Sequence, residues 1–476
     1  MFPWFLSIFT LTLILLIFFI VRKTVWGLQG SRKGIKLPPV YGGWIPWLGC
    51  AVEFGKRPLD FIEQMRKKLG PVYTLKVAGE RMTFLTDSKD FHHFFQSSNV
   101  DFQKAVQSAV QKVASVTEDA FFQNHTKIHD TVKGRLAAGH LQNICKNLNG
   151  DFKKYLTDVK LQNENNKFSS MDLNNIIRRT MYRSVMNNLF GEDVLFVDEK
   201  DDFSELEKHF VTFDDQFEYG TRLPTIFLKE WSTSRYWLLK LFNKVAPKIL
   251  KEIPDDTSKR NLLQSLLSVV DKEHAPNWSL LLLWASLANA IPITFWTLAN
   301  IYSHPQVKSK VQDEVDRSIN DMDNISESTL ATMPYTKQCV LEAIRLRSPG
   351  IITRRVVKEI QINGFTIPSG DLLMVSPFWS HRNPHHFPDP HQYKPERWDG
   401  VDKNSFPEEF IAFGGGRYQC PGRWFALMEI HMYVCMFMKM FDCKLLQGVP
   451  DLCELHLVGS QQPVQSCPVL LKNRLS

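Results

Sequence analysis

Phe413-Gly414-Gly415-Gly416-Arg417-Tyr418-Gln419-Cys420-Pro421-Gly422-Arg423-Trp424-Phe425-Ala426 sets four glycines around one cysteine. Glycine reaches φ values closed to other residues and lets backbone approach a flat ligand closely, so the run reads as a tight turn. Cys420 stands just before a stretch of helical apolar spacing, Trp424 to Phe441, where N–H dipoles lower a thiol's pKa and favour thiolate. A cysteine near a helix start is more often structural, and a glycine run alone fits any loop; the combination is more specific.

Two patterns precede it. Glu342-Ala343-Ile344-Arg345 places an acid and a base three apart on one helix face, a spacing that more often makes a solvated surface pair. Pro395-Glu396-Arg397-Trp398 ends a coil from Asn383 whose prolines (384, 388, 390, 395) and histidines (385, 386, 391) argue against regular structure.

The cysteine segment closely resembles the haem-thiolate signature Phe-x-x-Gly-x-Arg-x-Cys-x-Gly of the cytochrome P-450 superfamily, matched at Phe413, Gly416, Cys420 and Gly422. Glu342 and Arg345 match that family's Glu-x-x-Arg motif, and residues 395–398 resemble its Pro-Glu-Arg-Phe segment. The resemblance covers essentially the whole chain. It implies a mainly α fold with small β-sheets, with Cys420 as proximal ligand of a haem b iron whose thiolate pushes electron density toward O–O cleavage. It also implies haem contacts from Phe413 and Gly416, a lock between Glu342, Arg345 and Arg397, and electrons from NADPH through cytochrome P-450 reductase.

Composition agrees with a large globular body. The 476 residues are 44% hydrophobic and 22% charged, which excludes a wholly disordered, collagen-like or polytopic membrane chain. A net charge of +7 is too small and too dispersed for nucleic acid, and supports at most weak attraction to anionic membranes or an acidic partner. Eight cysteines without a CxxC pair indicate neither zinc nor a disulfide framework, but reduced core thiols. Length alone suggests about three domains. No repeat or polar linker divides residues 50–476, however, which predicts one large catalytic unit.

Helical spacing marks Leu59 to Leu69, Phe203 to Phe213, Ser279 to Ser303, Val307 to Ile319 and Thr336 to Leu346. Strand signals mark Val72 to Val77, Met82 to Thr86 and Ile360 to Ile367, the last turning at Asn363-Gly364.

From Phe2 to Val21 there are twenty uncharged residues, enough at about 1.5 Å rise each for a transmembrane helix across roughly 30 Å of hydrocarbon. Arg22, Lys23, Arg32, Lys33 and Lys36 follow, so the positive-inside rule puts the body of a single-pass protein on the cytosolic side, and the family resemblance implies the endoplasmic reticulum membrane. A signal peptide would need a charged start and a small-residue cleavage site, neither of which is evident. This topology predicts that the glycosylation patterns at Asn124, Asn277 and Asn324 stay unmodified. Residues 24–49, basic and then proline-rich, read as a stiff linker. Leu223-Pro224-Thr225-Ile226-Phe227-Leu228, with Trp231 and Trp237, reads either as ordinary core or as a second membrane contact.

The chain departs from the family pattern at three places. The arginine expected two before the cysteine is Tyr418, leaving Arg417 as a substitute partner for a haem propionate. The family's Trp-x-x-x-Arg is missing, so His125, Lys127, His129 and Lys133 become propionate candidates or else a solvated basic face that docks an electron donor, and Arg354 or Arg355 is a further propionate candidate. The usual Ala-Gly-x-Asp/Glu-Thr is replaced around Ala288 by Asn289, Ile291 and Pro292. Pro292 has no N–H and so frees the Ala288 carbonyl and kinks the helix. Proton delivery would then fall to Asn289 and ordered water.

Ala-Asn-x-x-Pro followed by Phe-Trp resembles the branch holding sterol 7α-hydroxylases, a sterol 12α-hydroxylase and prostacyclin synthase. Residues 43–49, 216–220, 280–289 and 368–374 look most like the oxysterol 7α-hydroxylases acting on 24-hydroxycholesterol, on the route to bile acids. The resemblance implies a sterol pocket lined by Leu287, Ala288, Gly350 to Thr353 and Leu457 to Gly459. The rival it leaves is an isomerase like prostacyclin synthase, and a non-catalytic haem or sterol binder is a third.

Overall fold

The computed structural model describes residues 35–162, 168–192, 203–401 and 408–474. The stretch Phe2 to Val21 and the basic residues Arg22, Lys23, Arg32 and Lys33 lie outside the described residues. The chain forms two compact units: one runs to Asp101 and takes in Thr353–Val375, the other comprises Phe102–Ile352 and Ser376–Ser476.

The first unit is built on a six-stranded mixed sheet. Its strands are β1 (Val40–Tyr41), β2 (Val72–Val77), β3 (Glu80–Leu85), β4 (Val100–Asp101), β5 (Ile352–Val356) and β8 (Leu372–Val375), in the order β1-β2-β3-β8-β5-β4. A separate hairpin, β6 (Ile360–Ile362) and β7 (Phe365–Ile367), turns at Asn363 (φ 51°) and Gly364 (φ 74°). Positive φ at both central positions is what an Asn-Gly turn supplies without opposing the strand twist. Asp371, buried, accepts from Arg81 Nε at 2.7 Å and Thr83 Oγ1 at 2.9 Å, so part of the 368–374 stretch has a structural reason.

The proline-rich stretch is extended, as its fixed φ angles require, but it is bonded into this sheet. Val40 pairs with Thr74 and Tyr41 with Leu75 in parallel. Gly49 lies at φ +61°, and a Cβ there would stand 2.0 Å from the Lys76 carbonyl oxygen. Only glycine allows that approach.

The second unit is mainly helical. The helices that carry the site are α1 (Glu118–Arg135), α2 (Phe203–Asp215), α3 (Phe217–Arg222), α4 (Lys229–Lys251), α5 (Ala275–Leu287), α6 (Ala290–Ser303), α7 (Pro334–Arg347) and α8 (Arg423–Met440). Ser169–Asp172, Phe441–Leu445 and Pro468–Asn473 form a three-stranded antiparallel sheet. The single helix expected from Ser279 to Ser303 is two helices, because the proline at 292 cannot bond the Ala288 carbonyl and the turn opens at Ala288-Asn289. The span Lys272–Ser303 is apolar and long enough to cross a membrane, but 72% of its apolar window is buried in protein, as in a core helix.

Leu223, Ile226 and Phe227 are exposed, the last two above 70%, whereas Trp231 is fully buried. Ordinary core therefore fails as a reading of residues 223–227. It holds for Trp231, whose ring lies against Gly220 and whose Nε1 donates to the Phe213 carbonyl. Asn124 is buried and donates to the Ala120 carbonyl and the Asp271 carboxylate, which closes that position to a glycan in the folded chain.

Candidate active site

The glycine-rich segment makes a closed turn before α8. Cys420 N–H donates to the Phe413 carbonyl at 2.8 Å, and Gly414 and Gly416 take φ of 70° and 65°. The backbone N–H groups of Gly422 and Arg423 favour the anionic form of the Cys420 sulfur. Burial pushes this thiol up from its ordinary value, while the Gly422 N–H, the Arg423 charge and the Arg423 N–H pull it down. The lowered thiol expected from the helix start is thus reversed in the protein alone. The amides act in the expected direction, but desolvation is larger. By accessible surface Cys420 is half-buried, although protein crowds it on nearly every side, and that crowding governs its charge. All eight cysteines are free thiols.

This cradle fits a haem iron. It offers one sulfur whose anionic form is favoured by the Gly422 and Arg423 amides and the Arg423 charge, a set that would hold a haem iron through a thiolate. Among the described residues no group of three His, Cys, Asp or Glu side chains would hold a bare metal ion.

Glu342 and Arg345 are not a solvated surface pair. Both are wholly buried, bonded in two places at 2.8 and 2.9 Å. Arg397 Nε meets Glu342 Oε1 at 2.9 Å, and Trp398 Nε1 donates to Oε2 at 3.1 Å. Arg345 also donates to the carbonyls of His381, Pro390 and Gln392. Arg397 likewise donates to the carbonyls of Pro388 and Asp389, so the two guanidiniums together fasten the proline-rich coil. A buried ion pair is tolerable only with such complete hydrogen bonding.

The propionate candidates separate. His129, on α1, comes to the cysteine turn, with its Nε2 3.4 Å from the Gln419 carbonyl. His125 packs its ring on Phe102 and Phe121 and takes part in a hydrogen bond with Gln103. Arg417 is exposed, its guanidinium 5.5 Å from the Tyr418 ring centroid. Lys127 and Lys133 are exposed on α1. Arg354 is buried in the first unit, over Phe94 at 5.0 Å, and Arg355 there bonds Glu80 and the Gly370 carbonyl.

Asn289 sits at the break between α5 and α6. Its Oδ1 accepts the Ser460 backbone N–H at 2.8 Å. Gly350 and Ile351 meet the same loop: Ile351 N–H donates to the Leu457 carbonyl at 2.6 Å, and a Cβ on Gly350 would stand 3.3 Å from the Val458 and Gly459 carbonyls. Residues 289, 350–351 and 457–460, scattered in sequence, are therefore neighbours.

A pair of acids beside them, Asp214 buried and Glu218 half-buried, went unread in the sequence. Glu218 accepts from the N–H groups of Leu457 and Val458, and Asp214 from Trp284 Nε1 at 2.9 Å and Gln462 Nε2 at 3.2 Å. Burial pushes both carboxyls up to about 7, against those hydrogen bonds. Phe217 stacks flat on Trp284, centroids 3.9 Å apart at 6°. The stretch 216–220 holds Glu218, with Asp214 just before it, and its only sequence signal was an acid inside an apolar helix start. A groove of about 640 Å³, lined by Leu330, Pro334, Leu341, Trp424, Met428 and His431, holds neither Cys420 nor Asn289 and takes no part.

Comparison with known proteins agrees with this geometry. The family profile described as Cytochrome P450 matches residues 38–467. The chain is 42% identical to human 24-hydroxycholesterol 7-alpha-hydroxylase over 94% of its length and 96% of the relative's, and 41% identical to the mouse protein of that name over 96% and 97%. It is 26% identical to rabbit Cytochrome P450 7A1 over 89% of this chain and 90% of that one. The solved structure of retinoic acid bound cyanobacterial CYP120A1 superposes with a TM-score of 0.74 at 21% identity, over 93% of this chain and all of that one. With its thiolate cradle, its buried Glu-x-x-Arg lock and a family match across most of its length, the chain belongs to the cytochrome P450 family.

Proposed function

We propose that the protein is an NADPH-dependent haem-thiolate monooxygenase that hydroxylates oxysterols, 24-hydroxycholesterol foremost, at the 7α position in bile acid synthesis. The observation that carries this reading is near-full-length identity of 42% to human 24-hydroxycholesterol 7-alpha-hydroxylase, joined to Cys420 in its amide cradle. Haem b, when bound, supplies oxygen activation, with electrons drawn one at a time from NADPH through cytochrome P-450 reductase.

The chain's own residues do the rest. Cys420 would hold the haem iron through its sulfur, and Phe413 and Gly416 shape the turn around it. His129 and Arg417 are the donors proposed for the propionates. Leu287, Ala288, Gly350 to Thr353 and Leu457 to Gly459 line an apolar pocket that suits a rigid sterol and excludes water. Because Asn289 Oδ1 is committed to Ser460, the group left to hold a water for proton delivery is its amide N–H.

The uncharged stretch Phe2 to Val21 anchors the chain in the endoplasmic reticulum membrane with the catalytic body cytosolic. Exposed Leu223, Ile226 and Phe227 touch membrane lipid.

Incubation of the purified protein with reductase, NADPH and a panel of oxysterols, with products identified by mass spectrometry, tests the reading. A 7α-hydroxylated product from 24-hydroxycholesterol is expected, and no 7-hydroxylated sterol from any member sinks it. A second reading, a prostacyclin-synthase-like isomerase, is favoured by one feature: Asn289, Ile291 and Pro292 stand where the acid-alcohol pair usually does. Turnover without NADPH or reductase would select it.

A further inference from the structure

The segment from Leu457 to Ser460 has no regular structure of its own, yet its backbone is bonded to several separate elements. Leu457 and Val458 N–H groups donate to Glu218, the second at 2.6 Å. Ser460 N–H donates to Asn289 Oδ1 at 2.8 Å, and its hydroxyl meets that of Ser348 at 3.1 Å. Beyond it Gln461 N–H donates to the Arg347 carbonyl at 2.9 Å, and Trp296 Nε1 to the Gln461 carbonyl at 2.7 Å. A Cβ on Gly459 would stand 2.6 Å from Asn289 Oδ1, so the loop is also close-packed on the α5–α6 break.

Glu218 differs from the other partners. It is the one that bonds consecutive amides, both through Oε1. It is also carried by a short helix whose position is fixed on two sides. Phe217 stacks on Trp284, and at Gly220 a Cβ would fall 2.2 Å from the Trp231 ring. An unstructured loop otherwise samples many conformations, and a wall built on one is only as well placed as its tethers.

We propose that Glu218 is a positioning residue for substrate specificity: by holding the Leu457 and Val458 amides against α3, it fixes, together with Asn289, the wall that Leu457–Gly459 gives to the pocket. The ligand's identity rests on the oxysterol reading above; the clamp itself rests on the hydrogen bonds alone. Glu218→Gln keeps an oxygen that accepts both amides, whereas Glu218→Leu removes it.

The test uses the full-length haem-loaded protein. In the wild type, hydrogen–deuterium exchange at the Leu457 and Val458 amides is slower than at Leu455 and His456; equal rates overturn the clamp without any variant. In Glu218→Leu those two amides exchange about tenfold faster, as for the loss of about one buried hydrogen bond. The Kd for 24-hydroxycholesterol, read from the ligand-induced absorbance shift, rises about as much, the product spreads over more than one carbon, and the reduced-CO spectrum is unchanged. Glu218→Gln stays near wild type on all counts. Faster exchange with an unchanged Kd and a single product overturns the specificity role, as does equal loss in the Gln and Leu variants. If wild type binds no oxysterol, the oxysterol reading falls while the exchange measurement still decides the clamp.

Discussion

Asn289 Oδ1 holds the backbone N–H of Ser460 at 2.8 Å, across 171 positions of sequence. A residue expected only to deliver protons is thereby also a wall support, and the two roles use opposite ends of one amide. Asn289→Leu removes both and sets a larger side chain against Gly459. Product formed per NADPH should fall several-fold with haem content retained. Asn289→Asp keeps the oxygen on Ser460 and should retain sterol affinity. Unchanged coupling in Asn289→Leu would remove the residue from proton delivery.

Glu342 takes bonds from Arg345, Arg397, Trp398 and the Lys394 N–H with no exposed surface. Glu342→Leu leaves two guanidiniums facing a buried apolar side chain, at a cost of about 3–5 kcal/mol. Denaturant unfolding should show that loss, or the protein should fail to accumulate with haem.

Gly220→Ala puts a methyl where the Trp231 ring stands, 2.2 Å away. Overpacking of this kind costs roughly 1–3 kcal/mol. The melting temperature should drop by several degrees, and a wild-type value would show that α3 shifts freely on α4.

Asp214 is raised to about 7, burial being the first cause and the neighbouring Asp215 the second. Below the ordinary carboxyl range both folded and unfolded chains hold the proton. Between about pH 4 and pH 7 the unfolded chain has released it and the folded chain has not, so folding stability falls as pH rises through that window. Above it the penalty is constant, on the order of 2–4 kcal/mol. Asp214→Asn removes the penalty, because Trp284 still finds an oxygen and Gln462 Oε1, which has no partner among the described residues, accepts the new amide. The variant's advantage in urea unfolding should grow from pH 4 to 7 and then level off. A pH-independent difference would place the proton elsewhere.

Ile226 and Phe227 are 72% and 74% exposed. If they touch lipid, Ile226→Asp with Phe227→Asp lowers binding to phosphatidylcholine vesicles several-fold in a chain lacking residues 1–23, and leaves the melting temperature alone. Equal binding would remove this loop as a membrane contact.

Features set by local geometry were legible from the residues alone. The Asn363-Gly364 hairpin is legible because only certain residues take positive φ. The α5–α6 break is legible because Pro292 lacks a donor. The Cys420 turn, and the face shared by Glu342 and Arg345, follow from spacings of a few residues. Several long helices gave weaker signals. In Leu173–Phe190, for example, Thr180 and Ser184 are buried by bonding carbonyls of their own helix, which blurs the apolar stripe. Long-range packing, by contrast, makes Glu342 dry rather than solvated, brings His129 and not Lys127 to the cysteine turn, raises the Cys420 thiol by burial, and carries Glu218 to Leu457. Each of these depends on water excluded, or on groups oriented, by the packing of other segments around the residue, from 55 positions away for Glu342 to 239 for Glu218 and 290 for His129, and no local spacing carries that sum.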